Sequence, residues 1–252
     1  MIKQTSLDFL SNLKLNNSRE WFEQNRDLYE NYRNDILQLT ENLLKELSKI
    51  DHAILQANLE PKKCLTRVNR DLRFSKDKTP YKNYVLVVFN KNYPQPNKAG
   101  YFIHIEPENC SVGGGVWQTT PEYLKKIRQE IDYSFTDFNK IITTSEFERT
   151  FPNGIQGVGK LKKMPVGYNE TNPASEFLKM KGFCTKEPLN DKVLTSKDCI
   201  KTVMDFFKTT KPIIDYINKA IEYDEQKART ANIVYKTFGS QCVIERFSPY
   251  QT

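Results

Sequence analysis

GYFIHIEPENCSVGGGVW, residues 100–117, decides the fold class. In its first half Ile103 and Ile105 alternate with His104 and Glu106, so the two polar residues share the face opposite the apolar one. CSVGGGVW, residues 110–117, reads as a further strand. Upstream, KNYVLVVFN at 82–90 and CLTRVNRDLRF at 64–74 have the same short-period character. The intervening NYPQPNKAG, 92–100, is a loop with two prolines. Four strands joined by short connections favour an antiparallel sheet. Gly113, Gly114 and Gly115 fit a strand only where a bulge, a ligand or a neighbouring backbone comes close. Trp117 then stands as a stacking wall or as a core residue.

Helical periods flank this region. Leu7, Leu10 and Leu13 mark a first helix. Asn17 and Glu20 have capping-box spacing, and a long amphipathic helix is expected from Trp21 to about Ile50. Its apolar arc of roughly 120° includes Phe22, Leu28, Tyr29, Tyr32, Ile36, Leu39, Leu43 and Leu47. Asn25 falls inside that arc, where it bonds a neighbouring backbone group or faces a polar pocket. Arg19, Arg26 and Arg33 line the arc's edge. TTPEYLKKIRQEI, 119–131, starts a helix with Pro121 in the first turn. SFTDFNKIITT, 134–144, is a shorter one. Residues 151–190 are loop-rich, and NPASEFLKMKGF, 172–183, reads equally as helix or strand. Residues 196–223 read as two helices meeting at Pro212. The fold class expected is α+β: an antiparallel sheet of about four or more strands flanked by helices, including the long N-terminal one.

The chain has 252 residues and a formal net charge of +7. Residues 62–82 hold Lys62, Lys63, Arg67, Arg70, Arg73, Lys76, Lys78 and Lys82 against only Asp71 and Asp77, so this segment alone is +6. Three of the ten arginines in a chain with 28 lysines fall within it. An arginine fork grips carboxylate or phosphate bidentately, which lysine does not. A concentrated positive field points to an anionic ligand. Were 64–74 extended, Arg67, Asn69, Asp71 and Arg73 would share one face, and Val68, Arg70, Leu72 and Phe74 the other. SKDKTP, 75–80, is turn material.

Other chemistries find no signature. Dinucleotide and P-loop motifs are missing, so no cofactor is expected. The GxSxG and HExxH patterns are also missing. With His52 and His104 the only histidines, and no CxxC among five cysteines, no metal is expected. Without a membrane-length apolar run or secretory leader, and with an odd cysteine count, a reduced cytoplasmic protein is expected.

RDLRFSKDKTPYK at 70–82 carries a family resemblance, as do NNSREWFEQNRDLYE, GYFIHIEPENCSVGGGVWQ, the helix with IRQEI, and LKKMPVGYNETNPASEFLKMKGF. Over roughly residues 5–222 the chain resembles domain-of-unknown-function family 2461, conserved hypothetical proteins of bacteria and some fungi. The family pattern falls on Arg70, Asp71, Arg73, Phe74, Ser75, Lys76, Asp77, Lys78, Thr79, Pro80, Tyr81 and Lys82. It also falls on Gly114, Gly115, Trp117 and Arg128. The resemblance implies a single α+β domain and no particular reaction. Residues 1–225 are therefore expected as one domain, with 226–252 a tail outside the resemblance.

Together these readings point to a cationic pocket for a phosphate- or carboxylate-bearing small ligand. Arg67, Arg70, Arg73, Lys76, Lys78 and Lys82 would bind it, with Asn69, Ser75, Asp71 and Asp77 between them. Tyr81 and Trp117 would be walls, and Asn25, Arg26 and Arg128 the rim. Should chemistry occur, His104 or Asp71 is the candidate proton carrier. Two alternatives stay open: a nucleic-acid interface built on 62–82, and a non-catalytic scaffold or partner-binding domain in which the arginines hold the hairpin in shape.

Overall fold

A computed structural model describes residues 1–90 and 98–238, the last sixteen as backbone alone. The 91–97 part of the proline loop and the 239–252 part of the tail lie outside the described residues. Four helices open the chain: α1 (Gln4–Leu15), α2 (Arg19–Gln24), α3 (Arg26–Ile50) and α4 (His52–Ala57). A 3-10 turn at Pro61–Cys64 leads toward strands β1 (Val85–Phe89), β2 (Gly100–Ile105) and β3 (Ser111–Val116). Helices α5 (Pro121–Tyr133), α6 (Phe135–Ile142), α7 (Ser145–Thr150) and α8 (Ser175–Leu178) precede β4 (Phe183–Pro188). Helices α9 (Asp191–Thr195) and α10 (Cys199–Phe238) close the fold.

The sheet is antiparallel with order β1-β2-β3-β4. Its inner face is the alternate set Val85, Val87, Phe89, Tyr101, Ile103, Ile105, Val112 and Val116, all buried. Against it packs α10, with Val203, Phe207, Ile213, Ile214 and Ile217 inward. A Cβ on Gly114 would lie 2.7 Å from Thr210 Cγ2, so glycine there lets α10 approach β3. The buried Thr185 hydroxyl stitches this contact, 3.1 Å from both Gly114 O and Thr210 Oγ1. Gly115 has φ +120°, and a Cβ on it would meet Phe183 O at 2.3 Å. Close approach, by the Thr210 side chain at Gly114 and by the β4 backbone at Gly115, thus accounts for both of these glycines.

The expected four-stranded sheet is present, but one member differs. Residues 64–74 make only isolated bridges, Leu65 with Val87 and Asn69 with Tyr81. The ladder is interrupted because Leu86 N donates to Thr66 Oγ1 and Pro80 has no N–H to give. The fourth strand is β4, where Lys186 and Pro188 blunt a sheet edge.

The long N-terminal helix is present as α3, but it is separate from α2 and turns at Asn25. Ser18, not Asn17, caps α2, accepting from Trp21 N at 3.1 Å. Leu28 lies outside the buried stripe, 48% exposed. At Pro212 the chain does not break: α10 runs straight through. Pro212 and Lys208 both face solvent, so water can serve the carbonyl that proline leaves without its helical donor. The buried stripe on the opposite face continues unbroken. At the α3–α4 junction, buried Asp51 accepts from Ala53 N at 2.9 Å and from Tyr101 Oη at 2.7 Å, tying the helices to β2.

Candidate functional site

The base of the basic hairpin is built into the core. Asn17 donates to Tyr81 O at 2.9 Å and accepts from Tyr81 N at 3.0 Å. The Tyr81 ring, 8% exposed, stacks on Phe22 with centroids 4.1 Å apart. Arg70 N to Pro80 O and Lys82 N to Val68 O close the two arms. The Tyr81 ring is therefore a packing element, turned to Phe22 rather than to an open surface.

At the tip the arginines already have acids. Arg70 binds Asp77 and, at 2.8 Å, Thr79 Oγ1. Asp77 also accepts from Thr79 N at 2.9 Å. Arg73 grips Asp71 bidentately at 3.0 and 2.7 Å. The Arg73 hydrogen bonds hold the Asp71 carboxyl below the usual carboxylate range, so it stays ionised at neutral pH. Bonds from Thr79, then from Arg70, do the same for Asp77. Lys78 donates to Leu72 O at 3.0 Å. The side chains of Ser75 and Lys76 have no partner among the described residues. Phe74 is 95% exposed, its ring 6.0 Å from the Arg73 guanidinium.

Toward the base, the charge is less fully paired among the described residues. Arg67 and Asn69 line a cleft of about 260 Å³ between α3 and residues 62–69. Arg33 from α3 and Lys62 from the 3-10 turn line it too, with Tyr29, Tyr32 and Tyr84 as aromatic wall. None of the lining residues is acidic. Neither Arg67 nor Lys62 has an ion-pair partner among the described residues, and Arg33 has only a loose one, Glu30 at 3.7 Å. Lys82 is half-buried, and burial followed by the charge of Arg70 lowers its pKa. Arg33, Lys62 and Tyr84 were not singled out as site residues from sequence. The signal available was Arg33's place on the edge of the α3 stripe and Lys62's at the head of the basic run.

The remaining sequence candidates lie elsewhere. Asn25 donates to Trp21 O at 2.8 Å, the local backbone bond of the two options. Arg26 sits between Glu23 and Glu30 at 3.8 and 3.4 Å, over the Phe22 and Tyr29 rings. Arg128 on α5 donates to Met180 O at 2.8 Å, while its buried Nε has no partner among the described residues. Burial, opposed by nearby Tyr168, lowers its pKa. It lines neither this cleft nor the one below. His104 and Trp117 line a second cleft, of about 470 Å³, on the outer face of the sheet. The Tyr84 ring, 5.0 Å from that of His104, is where the two clefts adjoin. Among the described residues, no cluster of His, Cys, Asp and Glu could hold a metal ion. No described helix is long and apolar enough to cross a membrane.

A family model described as "Conserved hypothetical protein (DUF2461)" matches residues 5–216, and the chain belongs to that family. No curated protein and no solved structure matches it.

Proposed function

We propose that this member of the family is a cytoplasmic protein whose single domain, about residues 1–225, binds a phosphate- or carboxylate-bearing small ligand. The ligand sits in the cleft of Arg67, Asn69, Lys62 and Arg33. One observation carries the reading: three cations line a concave site that has no acid of its own. Such charges repel one another, and a bound anion relieves that repulsion while accepting charge-assisted hydrogen bonds. The Arg67 fork, exposed and without an ion-pair partner among the described residues, suits bidentate contact with two anionic oxygens. Tyr29 and Tyr84 offer flat walls for the uncharged part of the ligand. At the tip, 70–79, Asp71 and Asp77 offset two of the four positive charges, so its field is weaker than its cation count suggests.

Calorimetric titration with inorganic pyrophosphate tests the proposal. Arg67→Ala should weaken binding by about tenfold, the worth of one charged hydrogen bond, and leave the melting temperature unchanged. Pyrophosphate binding that is indifferent to Arg67→Ala would overturn it.

The fully exposed Phe74 favours a second reading, contact with single-stranded nucleic acid. A bare ring beside Arg73, Lys76 and Lys78 can stack on a base while the cations meet phosphates. That reading expects oligonucleotide affinity to fall steeply with salt and to drop in Phe74→Ala. A shallow salt response and an unaffected Phe74→Ala would exclude it.

A further inference from the structure

The outer face of the sheet carries the second cleft, which the reading above leaves unused. Strand register sets its floor. Leu86, His104 and Ser111 stand on one row across β1, β2 and β3. Val88, Phe102, Gly113 and Lys186 stand on the next, across all four strands. Gly113 brings no side chain to that row, so nothing rises between the Phe102 ring and Lys186. Gly100, Gly115 and Cys184 continue the low floor on the following row. Trp117, just after β3, forms a wall and is 48% exposed. An indole left half in water beside Leu86, Val88 and Phe102 makes a concave apolar surface, the usual lining of a small-molecule site.

Polar side chains also border the cleft, among them Ser111, His104 and Lys186. Ser111 is 2% exposed, yet its Oγ has no hydrogen-bond partner among the described residues. A buried hydroxyl in that state is costly, and a ligand acceptor would satisfy it. Lys186 has no carboxylate partner among the described residues, and no acid lines the cleft. His104 Nδ1 lies 3.2 Å from Asn109 O. Burial keeps the ring neutral at physiological pH, so Nδ1–H donates to that carbonyl and Nε2 is an acceptor. Burial pushes the Cys184 thiol up to about 12, which makes it an inert part of the floor.

We propose that this cleft is a second binding site, for a small apolar monocarboxylic acid. Its aromatic or branched body lies against Trp117, Phe102, Leu86 and Val88, and its carboxylate meets Lys186 and the Ser111 hydroxyl. Two lysines line the cleft, but Lys98 is held by Glu222 at 3.3 Å. Lys186 and one hydroxyl then suit a monoanion, whereas the three cations of the other cleft suit a more highly charged group. The two sites share no lining residue.

The test titrates the full chain with 1-naphthoate and with its uncharged counterpart, 1-naphthalenemethanol. The chain has two tryptophans, so two indole N–H resonances report the position. Naphthoate should shift the Trp117 resonance, assigned with Trp117→Phe, and leave that of Trp21 in place. Lys186→Met, a change at an exposed position, should weaken naphthoate by about tenfold and spare the alcohol. Arg67→Ala should change neither ligand, which separates this site from the cationic cleft. An unmoved Trp117 resonance at millimolar naphthoate would overturn the proposal. So would equal weakening of acid and alcohol by Lys186→Met, or loss of binding in Arg67→Ala.

Discussion

Arg67 and Arg73 lie six residues apart in the same basic segment, and both are exposed. Arg73 is gripped by Asp71, and its neighbour Arg70 by Asp77 and Thr79. Arg67 faces Lys62 and Arg33 across a cleft with no acid. A third region, the hairpin base at Tyr81, is not electrostatic at all: it is held by Phe22 and Asn17. One run of thirteen residues therefore divides into a packed base and a tip whose two arginines are held by acids, and the arginine that no described acid pairs, Arg67, lies just upstream. What matters for binding is not how many cations a segment has but how many lack a protein partner.

Substitutions can break or sharpen this division. The largest effect should come from Phe22→Ala, which empties the space under the Tyr81 ring. About 3–5 kcal/mol of stability should be lost in urea unfolding. A loss under about 1 kcal/mol would mean that the base is not anchored by packing. Next, Asn17→Ala strands both the N–H and the C=O of Tyr81. It should cost about 1–3 kcal/mol by the same measurement, with pyrophosphate binding impaired in parallel as the arm carrying Arg67 loosens. Retention of full stability would show that water replaces the Asn17 amide. Arg73→Ala should be the mildest: its ion pair is in solvent, and such pairs contribute little. The thermal midpoint should not move measurably. A drop comparable to that of Asn17→Ala would shift the tip into the structural class and favour the scaffold reading.

Much of the architecture was legible because period-2 and period-3.6 patterns are local. Ile103 and Ile105 alternating with His104 identify β2, and Leu39, Leu43 and Leu47 identify α3. Strand β4 was not legible: Lys186, Glu187 and Pro188 are poor strand formers, and only pairing with β3 makes them extended. Pro212 misled in the opposite direction. Its cost falls on a solvent-facing turn, while the buried stripe from Val203 to Ile221 holds α10 together. Asn25 resolved to a backbone bond with Trp21, a choice its place in the apolar arc left open.

The candidate site divides in the same way. Sequence alone determined where charge is concentrated, because composition needs no coordinates. It also indicated that the chain reverses over 75–80, because Pro80 and the Ser, Asp and Thr of SKDKTP act within a few residues. Only the tertiary structure decided which charges remain free. Arg33 meets Arg67 across more than thirty residues of chain, and Lys186 meets Phe102 across the gap left by Gly113. Those encounters depend on how α3 and β4 pack against the rest, and packing is decided by the whole core at once rather than by any one stretch.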